Sequence, residues 1–371
     1  MAQPQPGDWP LARAEVETLQ GYSAPLEGRR GLLRLDFNEN TVGPSPKVVE
    51  AIRAIPAEHY AIYPEYDGLK EAFGRSLGGL RADQIGLFNG ADGAIHAICQ
   101  AYGSRGEVML TTSPTFGYYA PCARMQGMVI NAIPHEGDAL AFPLQTMRRA
   151  LSQLNPKLLL LCNPNNPTGT RIPPEHILEL AAAAPSTLVV VDELYEAFTG
   201  DSVLPLLQAS DGADPFARYR NLVVLRSLSK TAGIAGLRIG IAAGSEPVVD
   251  RINRVTGPYD INSFGVCAAF AALEDQAHVD AYVTEVLAAK AWLVEQLLKA
   301  GIRHQGDGGN YLLIWPRSGA GPTEAALREE GILVRSMAGK ALIDGALRVS
   351  IGTGEQMQRF WQAYRRCDGI D

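Results

Sequence analysis

Six short apolar runs punctuate the middle of the chain between about residues 85 and 245: "IGLF", "EVMLTT", "KLLLLC", "TLVVVDE", "NLVVLR" and "RIGIAA". None alternates apolar with polar positions, and stretches of helical pattern separate them. Unalternating runs suit strands buried on both faces, so the expected fold is α/β, with a mostly parallel central sheet flanked by helices. Such a sheet gathers its ligand at the carboxyl ends of its strands. Those ends lead here into "NGADG", "SPTFGYY", "NPNNPTG", "DELY" and "SLSKT", which would converge on one crevice.

The flanks read as a second, smaller unit. "SPKVVEAIRAI" predicts a helix with Ser45 as N-cap, Pro46 at the first helical position and one face of Val48, Val49, Ile52 and Ile55. "DAYVTEVLAAKAWLVEQLLKAG" predicts a long helix closed by Gly301. "NYLLIW", "GILVRS" and "ALRVSIG" read as strands. In "TGEQMQRFWQAYRR", Thr353 and Gln356 form a capping-box pattern, and Met357, Phe360, Trp361 and Tyr364 make an apolar stripe suited to core packing. The expected division is an N-terminal arm over 1–44, a large domain over 45–262 and a small α/β C-terminal domain over 263–371.

Composition narrows the function classes. The 371 residues are 46% hydrophobic and 20% charged, an ordinary globular balance that at this length favours two domains. A net charge of −7 without a basic run argues against nucleic acid or an anionic membrane as partner. Cys99, Cys122, Cys162, Cys267 and Cys367 are scattered, with no CxxC pair and no Cys/His cluster, which points to a reduced compartment and no metal site. The first residues lack the basic-then-apolar pattern of a secretory signal, and no apolar stretch approaches membrane-spanning length, so a cytoplasmic protein is expected.

The candidate chemistry centres on "LRSLSKTAGIAGLRIG" at 225–240. Lys230 sits between two small hydroxyl residues, and no other charge follows until Arg238, whereas a solvated lysine normally has polar neighbours. Taken singly, the motifs are unspecific. "NPNNPTG" is also a turn composition, "GADGAIH" lacks the GxxxxGK of a P-loop, and an acid at a strand end such as Asp192 is also a helix-capping choice. Their order and spacing are more demanding: N-P-T-G at 166–169, D-x-x-Y at 192–195, then S-x-S-K ending at Lys230 with an arginine eight residues on. This combination resembles the fold type I, pyridoxal-phosphate-dependent aminotransferases of class I/II. It is most similar to their histidinol-phosphate aminotransferase branch, through "LDFNENTVGPSP", "YPEYDGL", "SPTFGYY", "NPNNPTGT", "SLSKTAGIAGLRIG" and "LRVSIGTGEQ". The resemblance runs from about Leu35 to the C-terminus.

The resemblance implies a role for each matching position. Lys230 would form the Schiff base with pyridoxal 5'-phosphate, which needs an amine whose pKa falls in a desolvated, partly cationic pocket, and would later carry the proton from Cα. Asp192 would face the pyridine nitrogen and keep it protonated. Tyr195 and Asn166 would donate to the phenolic oxygen of the ring. Phe116 would stack on the ring face, with Tyr118 or Tyr119 as alternatives. The backbone N–H groups of Ala91 and Asp92, at a helix start, would meet the phosphate together with Ser227, Ser229 and Arg238. Tyr63 would reach the phosphate of a partner subunit's cofactor, which implies a homodimer. Arg348 would clamp the α-carboxylate, and Arg335 is a candidate second anion site, with a rim salt bridge as its other reading. His96 reads as a helix-packing residue. The branch carries a glutamate after "GAD", where this chain has Gly93; the departure bears on the substrate rather than on cofactor binding.

The implied reaction moves an amino group from an amino acid or amino-alcohol phosphate to a keto acid in a ping-pong exchange, most like the histidinol-phosphate type. An aromatic amino acid aminotransferase, a threonine-phosphate decarboxylase-like enzyme or another specialised enzyme would use the same cofactor cradle. A non-catalytic regulator that binds the cofactor would need a DNA-binding module, for which the chain has neither a basic patch nor spare length.

Overall fold

A computed structural model describes residues 10–21, 26–207 and 213–370. The six apolar runs are strands, joined by a seventh that the apolar pattern does not mark. In chain order they are β1 (Ile85–Asn89), β2 (Val108–Ser113), β3 (Val129–Pro134), β4 (Leu158–Cys162), β5 (Leu188–Asp192), β6 (Leu222–Ser227) and β7 (Ile239–Gly244). They lie side by side in the order β1-β7-β6-β5-β4-β2-β3, with β7 antiparallel to both neighbours and the others mutually parallel. Every residue of β4 and β5 is buried, as a sheet covered on both faces requires. β3 is an edge strand in which only Ile133 is buried, so it carries no apolar run to read.

Register brings the motifs together. Cys162, Asp192 and Leu225 lie level across β4, β5 and β6, so the loops that follow them leave from one edge. Antiparallel β7 starts at that same edge, with Ile239 opposite Asn89 and Gly240 opposite Ser227. Arg238 therefore meets the start of the helix Gly90–Tyr102, and the Gly90 N–H donates to the Arg238 carbonyl at 2.9 Å. That crossing has no room for a side chain: Gly90 has φ +73°, and a Cβ there would lie 2.3 Å from the Arg238 guanidinium.

A second core is built on an antiparallel sheet of β8 (His304–Gln305), β9 (Tyr311–Ile314), β10 (Arg335–Ser336) and β11 (Leu347–Ser350), in the order β10-β11-β9-β8. The helices Gln276–Lys299 and Gly354–Cys367 cover it. The second of these has the expected capping box, with Thr353 Oγ1 accepting from the Gln356 N–H at 3.3 Å and Gln356 Oε1 accepting from the Thr353 N–H at 3.0 Å. Its stripe of Met357, Phe360, Trp361 and Tyr364 is buried in this core.

The expected single strand "GILVRS" is split. Ile332–Leu333 pairs in parallel with Leu33–Arg34, and only Arg335–Ser336 joins the small sheet. The partner comes from the far end of the chain, and it draws Leu33 and Leu35 of the expected arm into the second core. The helix Ser263–Leu273 packs in the opposite sense: its Val266, Ala268, Ala269 and Ala272 are buried in the larger core with Val48 and Leu69. We propose that the two domains follow these cores, which places that helix with the larger one. Among the described residues, no helix is long and apolar enough to cross a membrane.

Candidate active site

A cavity of about 710 Å³ opens between the strand ends and the small sheet. Every residue to which the sequence assigns a site role lines it except Tyr63, as does Tyr118 but not Tyr119 of the two alternative stacking rings.

Asp192, the last residue of β5, forms part of the cavity wall and is buried. Its Oδ2 accepts from the Tyr119 hydroxyl at 2.6 Å and its Oδ1 from the Leu194 N–H at 3.2 Å. Burial pushes the carboxyl up to about 6, against the pull of those two donors. Tyr119 is thereby excluded as the stacking aromatic: it is buried behind the wall, while Phe116 and Tyr118 line the cavity. Phe116 packs edge-on against Tyr119, with ring centres 5.5 Å apart.

Lys230 follows the loop after β6, and its Nζ donates to the Phe37 carbonyl at 2.9 Å. Desolvation, then the nearby charge of Arg348, pushes its amine down to about 8, with Glu39 and Asp92 opposing. About a tenth of such an amine is a free base at pH 7, a few hundredfold more than for an ordinary lysine.

Tyr195 heads a buried network. Its phenol oxygen accepts from Asn38 Nδ2 at 3.0 Å and from Asn166 Nδ2 at 3.2 Å. The orientation of Asn166 follows from its other side, where Oδ1 accepts from Arg348 Nη1 at 2.7 Å, because a guanidinium only donates. Two amides on the oxygen leave the Tyr195 hydroxyl proton for the cavity. Burial lifts this phenol well above its ordinary value, so it stays protonated. Arg348 Nη2 also donates to the Asp36 carbonyl, which fixes the plane of the guanidinium.

Another part of the cavity wall offers donors that could hold an anion. Ala91 and Asp92 stand in the first turn of the helix Gly90–Tyr102, whose leading N–H groups have no partner within the helix. Arg238 Nη2 reaches Asp92 Oδ2 at 2.9 Å, so the Asp92 carboxylate braces the arginine while its backbone faces the ligand end. Ser227 Oγ lies 2.9 Å from Ser229 Oγ and 2.9 Å from the Ile239 carbonyl, and it accepts from the Ser229 N–H, so Ser227 frames the loop on which Ser229 is presented. A Cβ on Gly93 would meet nothing nearer than 3.5 Å, so space does not impose this departure from the branch.

Tyr63 lies away from the cavity, exposed and stacked on Tyr259 with ring centres 3.8 Å apart. Three contributors were not singled out from the sequence: Asn38 and the Phe37 carbonyl come from the N-terminal segment, and Lys340 lines the cavity from the turn after β10. Tyr119, which the sequence offers only as an alternative stacking ring, sits behind the wall on Asp192. "FNEN" is conspicuous for its polarity, but nothing local in it points to Tyr195.

The chain is similar to known proteins along most of its length. The histidinol-phosphate aminotransferase of Paracoccus denitrificans is 31% identical over 369 residues, covering 96% of this chain and 93% of that protein. That of Roseiflexus castenholzii is 35% identical over 369 residues, covering 93% and 95%. The crystal structure of the Sinorhizobium meliloti histidinol-phosphate aminotransferase in complex with pyridoxal-5'-phosphate has the same fold, with a TM-score of 0.87 at 23% identity over 98% of this chain and 99% of that one. The family model for aminotransferase class I and II matches residues 30–363, and with relatives this similar over nearly the whole chain, the protein belongs to the class I and II aminotransferases.

Proposed function

We propose that this protein is a pyridoxal-phosphate-dependent aminotransferase that takes its amino group from histidinol phosphate, or a closely similar amino-alcohol phosphate, and passes it to a keto acid. The observation that carries this is the Lys230 amine, pushed down to about 8 in a cavity that also holds a buried carboxylate, Asp192, and an anion-binding end at Arg238.

The residues present fit the cofactor. Bare backbone at Gly90 lets the Arg238 guanidinium lie against the helix start, with Ala91, Asp92, Ser227 and Ser229 on the same cavity wall to meet a phosphate. Asp192 would pair with the ring nitrogen, Phe116 would cover a ring face, and Tyr195 and Asn166 would hold the phenolic oxygen. A buried carboxylate without a cation is penalised, and a protonated ring nitrogen supplies that cation. Bound there, the cofactor supplies an electron sink for the pair left at the donor's Cα.

The chain's own groups do the rest. Lys230 Nζ, partly free base near neutral pH, would serve as the nucleophile that holds the cofactor and as the base that takes the proton from the donor's Cα. The Tyr195 hydroxyl keeps its proton and donates it into the cavity. Arg348, held by Asn166 and Asp36, presents a fixed fork to an anionic group of the donor or to the keto acid's carboxylate, which orients Cα toward Lys230. Arg335 faces the same space as a second anion contact.

The same proposal includes a homodimer. Tyr60, Ile62, Tyr63 and Tyr259 leave 61%, 60%, 69% and 55% of their surface exposed, an apolar patch suited to a second copy, from which Tyr63 would reach the partner's cofactor phosphate. A monomer by sedimentation at micromolar concentration would remove this element. A reducing, cytoplasmic setting is supported by five cysteines that form no disulfide.

Borohydride reduction of the cofactor-loaded protein, followed by peptide mapping, should place the label on Lys230. Histidinol phosphate with a keto acid should turn over without release of CO2. A label on another lysine, or stoichiometric CO2, would refute the proposal.

A further inference from the structure

We propose that Lys290 is a positioning residue for the candidate site: through a glycine turn between β8 and β9 it seats the "NPNNPTG" loop, and so sets the aim of the Asn166 amide at the phenolic oxygen of the cofactor. The inference rests on the aminotransferase reading above and adds to it a residue that does not line the cavity.

The geometry begins with a charge inside a core. Lys290 stands on the helix Gln276–Lys299, one residue after Ala289 and three before Leu293 of the smaller core, and is 7% exposed. Burying an ammonium costs several kcal/mol unless hydrogen bonds replace its water. Backbone carbonyls replace it here: Lys290 Nζ donates to Gly309 at 3.0 Å and to Asp307 at 3.2 Å. Burial still pushes the amine down to about 8, with the Asp307 carboxylate opposing and Arg171 adding to the shift. An apolar side chain would serve this helix face at lower cost, so the ammonium is kept for the turn it holds.

That turn, "GDGG" at 306–309, needs an outside hold. Three of its four residues are glycine, and ordering glycine forfeits more chain entropy than ordering any other residue. On the side away from Lys290 the turn meets the "NPNNPTG" loop. The Gly308 N–H donates to the Gly169 carbonyl at 2.8 Å. A Cβ on Gly169 would lie 2.5 Å from Gly306 Cα, and one on Gly308 would lie 2.4 Å from Pro164 Cβ. Turn and loop therefore pack backbone to backbone, and a displacement of one is passed to the other.

The loop delivers that constraint to the site. Its Gly169 N–H donates to the Asn165 carbonyl at 2.7 Å, and the Tyr311 hydroxyl, from the first residue of β9, donates to the same carbonyl at 2.7 Å. Asn166 is the next residue, and its amide is divided between the Tyr195 oxygen at 3.2 Å and the Arg348 guanidinium at 2.7 Å. Hydrogen bonds weaken steeply as their angle falls, so a rotation of the Asn165–Asn166 peptide is felt at Asn166 Nδ2. Glycine stands at both sides of the crossing, where no side-chain rotamer can absorb the movement.

The test compares the wild type with Lys290→Met, which keeps the length of the side chain and removes its donors. In hydrogen–deuterium exchange, segments 163–170 and 306–310 should exchange about tenfold faster in the variant, equivalent to about 1.4 kcal/mol, while β5 and β6 keep their protection. In cofactor-loaded protein, donation to the phenolic oxygen favours its ionised form. The midpoint of the visible absorbance titration should therefore rise by about half a pH unit, part of the one to two units that full loss of a charge-assisted hydrogen bond would give. Asn166→Ala should raise the midpoint by itself and leave Lys290→Met nothing further to change. Gly308→Ala, with Lys290 intact, presses the turn off Pro164 and should reproduce both signatures; it takes the place of Lys290→Met if that variant does not fold. Unchanged exchange in 163–170, an unmoved midpoint, or a shift that persists undiminished in the Asn166→Ala background would overturn the assignment. If the wild type shows no cofactor band, the aminotransferase reading is what fails, and exchange in 163–170 then decides whether Lys290 holds the loop.

Discussion

Replacing Tyr119 by Phe should shift the acid limit of cofactor binding upward by about one to two pH units. The Tyr119 hydroxyl donates to Asp192 Oδ2 at 2.6 Å, and the ring is 1% exposed, so the substitution deletes the donor without admitting water or leaving a large void. A hydrogen bond to a buried charge is worth about 1.5–3 kcal/mol, and one pH unit corresponds to about 1.4 kcal/mol. Asp192, already pushed up to about 6 by burial, would then titrate between about 7 and 8. The sign follows from the carboxylate being the form that pairs with a protonated ring nitrogen. Affinity is lost as pH falls through the Asp192 pKa, and raising that pKa moves the loss to higher pH. Lys230, pushed down to about 8, titrates in the same range, so the comparison is best made in a Lys230→Ala background, with and without Tyr119→Phe. Apoprotein titrated with pyridoxal phosphate by absorbance or tryptophan fluorescence, across weakly acidic to weakly basic pH, gives the two profiles. The cofactor's own ionisations are common to both and cancel. Coincident profiles would refute the reasoning and leave Tyr119 as a packing residue.

Asp192→Asn should fold and retain some cofactor affinity, yet lose on the order of 3 kcal/mol of transition-state stabilisation, about two orders of magnitude in kcat. Single-turnover kinetics near the wild-type rate would exclude the carboxylate from the chemistry. Phe360→Ala, at a fully buried position in the smaller core, should cost about 3–5 kcal/mol in urea unfolding, and a change below about 1 kcal/mol would show that this core does not depend on the C-terminal helix.

The candidate site was partly legible for a physical reason. Asp192, Asn166 and Lys230 stand at or just beyond the ends of β5, β4 and β6, and unalternating apolar runs mark those strands without knowledge of their neighbours. The same rule passes over β3, because an edge strand with one buried residue has no apolar run. It also treats "GILVRS" as one element, because the switch of partner after Leu333 depends on Leu33–Arg34 arriving from the other end of the chain. Tyr119 is one of three aromatics in "SPTFGYY", and nothing in that stretch distinguishes the ring that faces the cavity from the one behind its wall.

The sequence by itself determined six of the seven strands of the large sheet, the edge at which its loops gather, the family and the candidate lysine. Each of these depends on conformational preference and burial pattern within a few residues, or on motifs whose order along the chain is itself the signal. Tertiary structure decided what those residues touch. Asn38 meets Tyr195 across 157 positions of sequence, and Asn166 meets Arg348 across 182. The opposition of Arg335 and Arg348 exists only in the register of a small antiparallel sheet. Contacts of this kind arise from packing two cores against each other, and local preference along a chain carries no information about which distant polar group will be left facing which.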